Sequence, residues 1–368
     1  MTRSAVRTLG VVTAALIGIS AAVAAKTPAP RPQSGPQSGT LDIYFIDVEG
    51  GQSTLLVTPT KESMLIDAGF AGDGTFNSKP GDPAVARDPQ RILAAARDAG
   101  IARIDHLLVT HFHADHFGGV MELSQLLPIR EFIDHGPPSA AADSAVPGTM
   151  ALYEAYAAVR AKAVHRQPKA GERLQFGGII ADVLASDGTT LRTSLDGGPR
   201  VANSACTSGG VPAQEKLENP NSTAVRVQFG KFRFLDVGDL SGPPLYALTC
   251  PDNLIAQADV YLIAHHGGAD GSDPSLFAAV KPRIAIFNNG ARKGAQEPTL
   301  TALRSFGIEG WQLHKTANPG AVNNADAHIA NLDQSTSAWI KLSARADGSF
   351  VVTNGRTGER TTYPAPAR

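Results

Sequence analysis

Apolar and polar positions alternate over Leu41-Asp42-Ile43-Tyr44-Phe45-Ile46-Asp47-Val48, the period of two that a β-strand requires. Two more strands follow at 53–57 and 63–66, separated by a Pro-Thr-Lys-Glu turn. Asp67-Ala68-Gly69 ends the third, and the Gly-, Pro- and Asp-rich stretch 70–87 reads as a long loop. Asp88-Pro89 has the form of an N-cap and first helical residue, predicting a helix to Ala99 that Gly100 stops. The apolar run 104–109 is a buried strand, and the next helix runs from Asp115 to Leu127, before Pro128. Leu152, Tyr153, Tyr156 and Val159 fall at helical spacing and are most simply core. Later strands are predicted at 131–135, twice within 171–185, as a hairpin pair over 219–240, and at 259–264, 284–287 and 311–314. A helix at 299–306 and a hairpin over 337–353 complete the pattern, whereas 186–219 has no period and reads as a variable substrate loop. Strands alternating with helices in this order indicate a layered α/β fold.

After the 104–109 strand the chain reads Thr110-His111-Phe112-His113-Ala114-Asp115-His116-Phe117-Gly118-Gly119. His111 and His113 lie two apart, so an extended strand end points both imidazoles to one side. Asp115 and His116 open the helix, and the glycine pair lets other backbone approach closely. Four such side chains at one strand-to-helix corner can build two adjacent metal sites, and imidazole with carboxylate suits zinc, iron or manganese. A His-rich surface loop is the alternative, and the specificity of the spacing weighs against it. A second strand ends in His265-His266-Gly267-Gly268. His135 also leaves a strand end, where lining a pocket and serving as a plain structural histidine have equal weight.

The N-terminus changes the setting. Arg3 and Arg7 precede an uncharged apolar run over 9–23 that ends in Ala22-Val23-Ala24-Ala25, the form of a secretory signal peptide cleaved near Ala24 or Ala25. The run is short for a spanning helix and has no basic flank behind it, so no stable membrane anchor is expected. Residues 26–40, rich in Pro, Gln, Ser and Gly, read as a flexible linker, and 41–368 as one domain. The mature protein is expected to be secreted or periplasmic. Formal charge is −1, from 33 Lys+Arg against 34 Asp+Glu; without Arg3 and Arg7 the balance is 31 against 34, or −3. That gives no support for a nucleic-acid partner. Lys281, Arg283, Arg292 and Lys293 form the one small basic cluster, facing a phosphate or simply solvated. Cys206 and Cys250 would pair as a disulfide in an exported protein, with buried thiols or a zinc ligand as the alternatives.

His-x-His-x-Asp-His is the signature of the metallo-β-lactamase superfamily, which the chain resembles from residue 41 onward. Asp47-Val48-Glu49-Gly50-Gly51-Gln52-Ser53, Asn219-Pro220-Asn221-Ser222, Val237-Gly238-Asp239 and His265-His266-Gly267 resemble segments of its ComEC-like branch, related to phosphorylcholine esterases. The resemblance implies a four-layer αββα sandwich holding zinc, two ions per chain, with manganese or iron as alternatives. The implied ligands are His111, His113, Asp115, His116, a bridging Asp239, and one of His265 and His266, with His265 taken as the ligand. Asp115, Asp239 and His266 are the implied catalytic groups. Asp67 would support the histidine loop, and His135, Asn221 and Asn289 would stand behind the ligands or toward the substrate. Two departures are visible. Asn219, Asn221 and Ser222 stand where many members have a third histidine, leaving the first site fewer strong ligands. Gln296-Glu297-Pro298 replaces a Gly-His-Pro. His314 and His328 read as ordinary surface or loop residues.

Metal-activated water, its pKa lowered to about 7 by zinc, would attack a phosphorus or carbonyl centre. The implied activity is phosphoester or phosphodiester hydrolysis on a small-molecule or phosphoester substrate. Hydrolysis of a cyclic amide or ester, as by a β-lactamase or lactonase, is the alternative, followed by a non-catalytic metal-binding module. Neither a serine nucleophile elbow nor a glycine-rich phosphate loop competes.

Overall fold

Leu41–Phe45 turns Ile43 and Phe45 to one side and Tyr44 to the other, and all three are buried. A strand covered on both faces belongs in a sheet packed between two layers. The computed structural model describes Met1 and residues 39–367 other than 140, 196, 198, 199 and 207–217. The chain divides into units Met1–Gly35 and Pro36–Arg368, and the elements below belong to the second. The predicted signal peptide and all but the last two residues of the predicted linker lie outside the described residues, Met1 apart. Among those described, no helix is long and apolar enough to cross a membrane.

In chain order the first strands are β1 (Leu41–Phe45), β2 (Thr54–Val57), β3 (Ser63–Ile66), β4 (Ile104–Leu108), β5 (Ile129–Ile133), β6 (Val164–Arg166), β7 (Arg173–Phe176), β8 (Ile179–Ser186), β9 (Thr189–Thr190) and β10 (Val201–Ala202). Then come β11 (Ala224–Phe229), β12 (Phe232–Asp236), β13 (Asp252–Asn253), β14 (Val260–Leu262), β15 (Ile284–Phe287), β16 (Glu309–His314), β17 (Ile329–Asn331), β18 (Ile340–Ala344), β19 (Phe350–Asn354) and β20 (Arg360–Tyr363). One sheet runs β20-β19-β18-β1-β2-β3-β4-β5-β6, with β3 to β6 parallel. The other runs β17-β16-β15-β14-β12-β11-β8-β7, with β12 and β14 to β17 parallel and β9 on β8. Strands β10 and β13 form a separate pair.

Ile43, Phe45, Leu56, Ile66 and Leu108 of the first sheet meet Val183, Val227, Phe234, Leu262 and Ile286 of the second in one buried cluster. Phe45 and Phe234 pack edge-on, with centroids 5.7 Å apart. Each such buried side chain contributes about 1.5–3 kcal/mol. Helices α1 (Arg87–Asp98), α2 (Ala114–Phe117), α3 (Val120–Leu126), α4 (Ala142–Ala145) and α5 (Thr149–Arg160) come before β6. Through Ile92, Leu123 and Tyr156, helices α1, α3 and α5 cover the outer residues Tyr44, Leu65 and Leu107. Helices α6 (Gly242–Ala247), α7 (Pro274–Val280) and α8 (Glu297–Ser305) cover Leu235, Tyr261 and Ala285 with Leu245, Phe277 and Leu300. The result is the expected αββα sandwich, built of two mixed sheets.

Local expectations fail where distant backbone or burial decides. Asp88 does not cap α1, whose N-cap position is Ala86. Its buried carboxylate instead accepts from Phe70 N–H (2.8 Å) and Arg87 Nε–H (2.6 Å). Burial pushes it up to about 6 against the opposing Arg87. The helix expected over 115–127 breaks at Gly118–Gly119, because Gly119 N–H donates 3.0 Å to Gly69 O. A Cβ on Gly119 would lie 2.3 Å from Ala68 O, so the break holds two backbone segments in contact. Helix α8 starts at Glu297, two residues earlier than expected. The basic cluster splits: Arg283 lies over Phe350 and Tyr363, whereas Lys293 reaches Asp115. Cys206 and Cys250 form the disulfide.

A buried polar junction joins the sheets. Gln52 Nε2 donates to both carboxylate oxygens of Asp236 at 3.0 and 3.1 Å, and Asn288 Nδ2 donates to Gln52 Oε1 at 3.1 Å. Burial first, and then the Asp67 charge, raises Asp236 to about 7, against donation from Gly238 N–H and Gln52. A carboxyl raised on folding adds stability below its unfolded pKa, and loses it as pH rises through its folded one. In chelator-treated protein, raising pH from about 4 to about 7 should therefore lower the unfolding free energy of wild type relative to Asp236→Asn. The divergence should be on the order of a few kcal/mol, read from urea melts at both pH values.

Candidate metal centre

The parallel strands of both sheets deliver their carboxyl ends to one rim, where open α/β sheets place their sites. Asp67 follows β3, His111 to His116 follow β4, Asp239 follows β12, and His265 and His266 follow β14. Asp67 has a left-handed φ of 59°, which turns its carboxylate under the histidine loop. Its Oδ1 accepts from Thr110 N–H (2.7 Å), and its Oδ2 accepts from the Thr110 hydroxyl (2.7 Å) and lies 2.7 Å from His116 Nδ1. With Nδ1 engaged there, His116 Nε2 is left to face the centre.

Four donor atoms converge on it. His116 Nε2 lies 3.5 Å from Asp115 Oδ2, 3.2 Å from Asp239 Oδ2 and 3.3 Å from His266 Nε2. His266 Nε2 lies 3.2 Å from Asp115 Oδ2 and 3.3 Å from Asp239 Oδ2. Bonds of about 2.0–2.1 Å to a tetrahedral zinc put ligand atoms roughly 3.3 Å apart, so these spacings fit such an ion. A second group, His111, His113 and Asp239, adjoins it, with all its donor atoms within 4.8 Å of one another. There His111 Nε2 is 3.0 Å from His113 Nδ1 and 3.9 Å from Asp239 Oδ2. Asp239 Oδ1 is buried without a hydrogen-bond partner among the described residues. A buried anionic oxygen of that kind calls for a cation.

The electrostatics show the buried carboxylates drawing in positive charge. Burial pushes Asp115 and Asp239 up, but Lys293 and His116 beside the first, and His116, His266 and His265 beside the second, hold both well below the usual carboxylate range. Burial lowers His116, yet Asp239, Asp115 and Asp67 together raise it well above its ordinary value. His111, with like-charged neighbours, is driven well below its ordinary value by burial, then by His116 and His113. Neutral imidazole is the form that ligates a metal.

The family model described as "Metallo-beta-lactamase superfamily" matches residues 47–190. That segment belongs to the metallo-beta-lactamase superfamily. Similar solved structures include a Cronobacter sakazakii metallo-beta-lactamase with a HARLDQ motif, at 19% identity over 55% of this chain and 61% of that one, with TM-score 0.32. A Bacillus subtilis metallo-beta-lactamase fold protein, YhfI, has 11% identity over 75% and 96%, with TM-score 0.43. The Streptomyces venezuelae diiron β-hydroxylase CmlA has 15% identity over 76% and 53%, with TM-score 0.42. The chain thus spans about six tenths of the length of the Cronobacter structure. No curated protein matches it.

Within this site, the structure brings His266 and not His265 into the four-atom group, opposite to the expectation that His265 is the ligand. Both histidines take left-handed backbone angles, φ 49° and 56°, which swing successive side chains apart. His266 is buried, whereas His265 is 31% exposed, with Nδ1 2.7 Å from Asp270 Oδ2 and Nε2 3.7 Å from Asp239 Oδ2. His135 stays outside both groups, its Nε2 3.1 Å from the buried Glu218 carboxylate. Asn221 lies at the same place, its Nδ2 3.5 Å from Glu218 Oε1. Asn289 does not face the centre: its Nδ2 donates to Gly290 O and His314 O, both at 2.9 Å.

His314 is fully buried rather than at the surface, 2.7 Å from Asp47 and 3.6 Å from Glu49. Those three could also gather around a metal, but Arg91 already lies 2.8 Å from Asp47 and 3.5 Å from Glu49 and supplies the balancing charge. Glu218 and Arg91 carry no signal in the sequence, since only folding brings them beside His135 and Asp47. The basic stretch at 292–293 was the one signal, for Lys293.

After zinc loading, His266→Ala should lose bound metal while His265→Ala keeps the wild-type content, measured by mass spectrometry. Asp67→Asn should keep every ligand yet weaken zinc binding about 10–100-fold, read by competition with a chromophoric chelator.

Proposed function

We propose that this protein is an exported, metal-dependent hydrolase of phosphoester or phosphodiester bonds. The observation that carries the reading is the sharing of Asp239 between two adjoining donor groups. Paired-ion sites clamp the attacking and leaving oxygens of an in-line phosphoryl displacement. The ComEC-like segments around Asp47, Asn221, Asp239 and His265 support the same class. Export is supported by the signal-like N-terminus and by the Cys206–Cys250 disulfide, a bond that persists in oxidising compartments.

Asp115, His116, Asp239 and His266 would hold one ion, and His111, His113 and Asp239 the other. Zinc suits this donor set, as do manganese and iron. Divalent cations there supply Lewis acidity, polarising the phosphoryl group and making water a nucleophile near neutral pH. Asp67 keeps His116 in one orientation. Asp270 holds His265 through Nδ1, and His265 would carry a proton on Nε2 and deliver it to the departing oxygen. Burial of Asp115, His116, Asp239 and His266 strengthens these interactions.

Zinc-loaded mature protein should hydrolyse bis-p-nitrophenyl phosphate and leave nitrocefin intact, with Asp239→Ala slower by about 100-fold or more. Turnover of nitrocefin alone moves the assignment to cyclic amides. Bound metal with neither activity retires the phosphodiesterase reading in favour of a narrow-substrate enzyme or a non-catalytic metal-binding module.

A further inference from the structure

The loop after β15 is fastened over the metal centre. Ala295 N–H donates to His266 O and Gln296 N–H to Gly267 O, both at 2.9 Å, and Gly290 N–H closes a turn onto Lys293 O at 2.9 Å. A Cβ on Gly294 would lie 2.2 Å from His266 O, so only glycine permits this approach. The backbone at Lys293 is thereby fixed by these contacts. Its Nζ contacts Asp115 Oδ2, the same oxygen that faces His116 and His266 in the metal group. The ammonium also lies 5.0 Å from the Phe76 ring centre and 5.9 Å from that of Phe70.

An ammonium carries three N–H donors, and among the described residues its hydrogen bond goes to Asp115 alone. A cation held by Asp115 and its neighbours would take up the charge that Lys293 now balances. The remaining donors then face the cleft of about 370 Å³ lined by His265, Gly268, Asp270, Lys293 and Gln296. Its one carboxylate, Asp270, is already engaged by His265 at 2.7 Å.

We propose that Lys293 is an anion anchor: it receives an anionic group of the substrate, phosphate or carboxylate, beside the bond being cut. This rests on the hydrolytic reading above and goes beyond it by naming the recognition element. A lysine serves this purpose as a point charge, strongest in a partly desolvated site.

The test is calorimetric titration of zinc-loaded wild type, Lys293→Ala and Lys293→Arg with inorganic phosphate and with acetate. Zinc content and bis-p-nitrophenyl phosphate kinetics are recorded for each. Lys293→Ala should weaken phosphate binding about 10–100-fold with zinc content unchanged, and raise KM more than it lowers kcat. Lys293→Arg should recover most of the loss. Phosphate bound more tightly than acetate identifies a phosphoryl source, and the reverse a carboxylate one. Phosphate affinity unchanged in Lys293→Ala, no anion binding by wild type, or loss of zinc from the variant each overturns the anchor. Lys293-dependent phosphate binding without phosphodiester turnover retains the anchor and retires the phosphodiesterase reading.

Discussion

Two fully buried carboxylates, Asp115 and Asp239, set the terms for the rest of the molecule. An unpaired charge taken out of water costs several kcal/mol, so every positive or polarisable group nearby is drawn into their service. His116 and His266 lie within 3.5 Å of both, and Lys293 closes on Asp115 from the rim. The sandwich makes this affordable: its core is apolar and its polarity is gathered at one edge, where the parallel strands end.

The same donor types meet a different fate a short distance along that edge. Asp47, Glu49 and His314 converge as closely as the metal group does, but Arg91 spans both carboxylates. The comparison shows what separates a structural ion cluster from a candidate metal centre. In one, Arg91 engages both carboxylates; in the other, Asp239 Oδ1 is left without a hydrogen-bond partner among the described residues.

The layered fold was legible because it is written in local periodicity. The alternation around Ile43 and the apolar runs before His111 and His265 became strands of the two sheets. The histidine corner was equally plain, since its spacing alone brings the side chains together. What escaped reading depends on partners far along the chain. The helix break at Gly119 is decided by Gly69 O, some fifty residues earlier in sequence. The burial of His314 is decided by Asp47, across the sandwich. Choosing between His265 and His266 required the backbone angles of the residues themselves, which no hydrophobic pattern encodes. The basic residues looked like one cluster because they are near in sequence, yet Arg283 stacks on Phe350 while Lys293 enters the rim.

The left-handed pair also places two demands in opposition. A β-carbon disfavours φ near 50°, and glycine would occupy either position with less strain. Glycine at 265 or 266 would suit the backbone and delete an imidazole from the rim. Selection for thermal tolerance alone would therefore reward the loss of these side chains. Any laboratory evolution of this scaffold needs a screen on its chemistry running alongside, or stability will be gained by erasing the site.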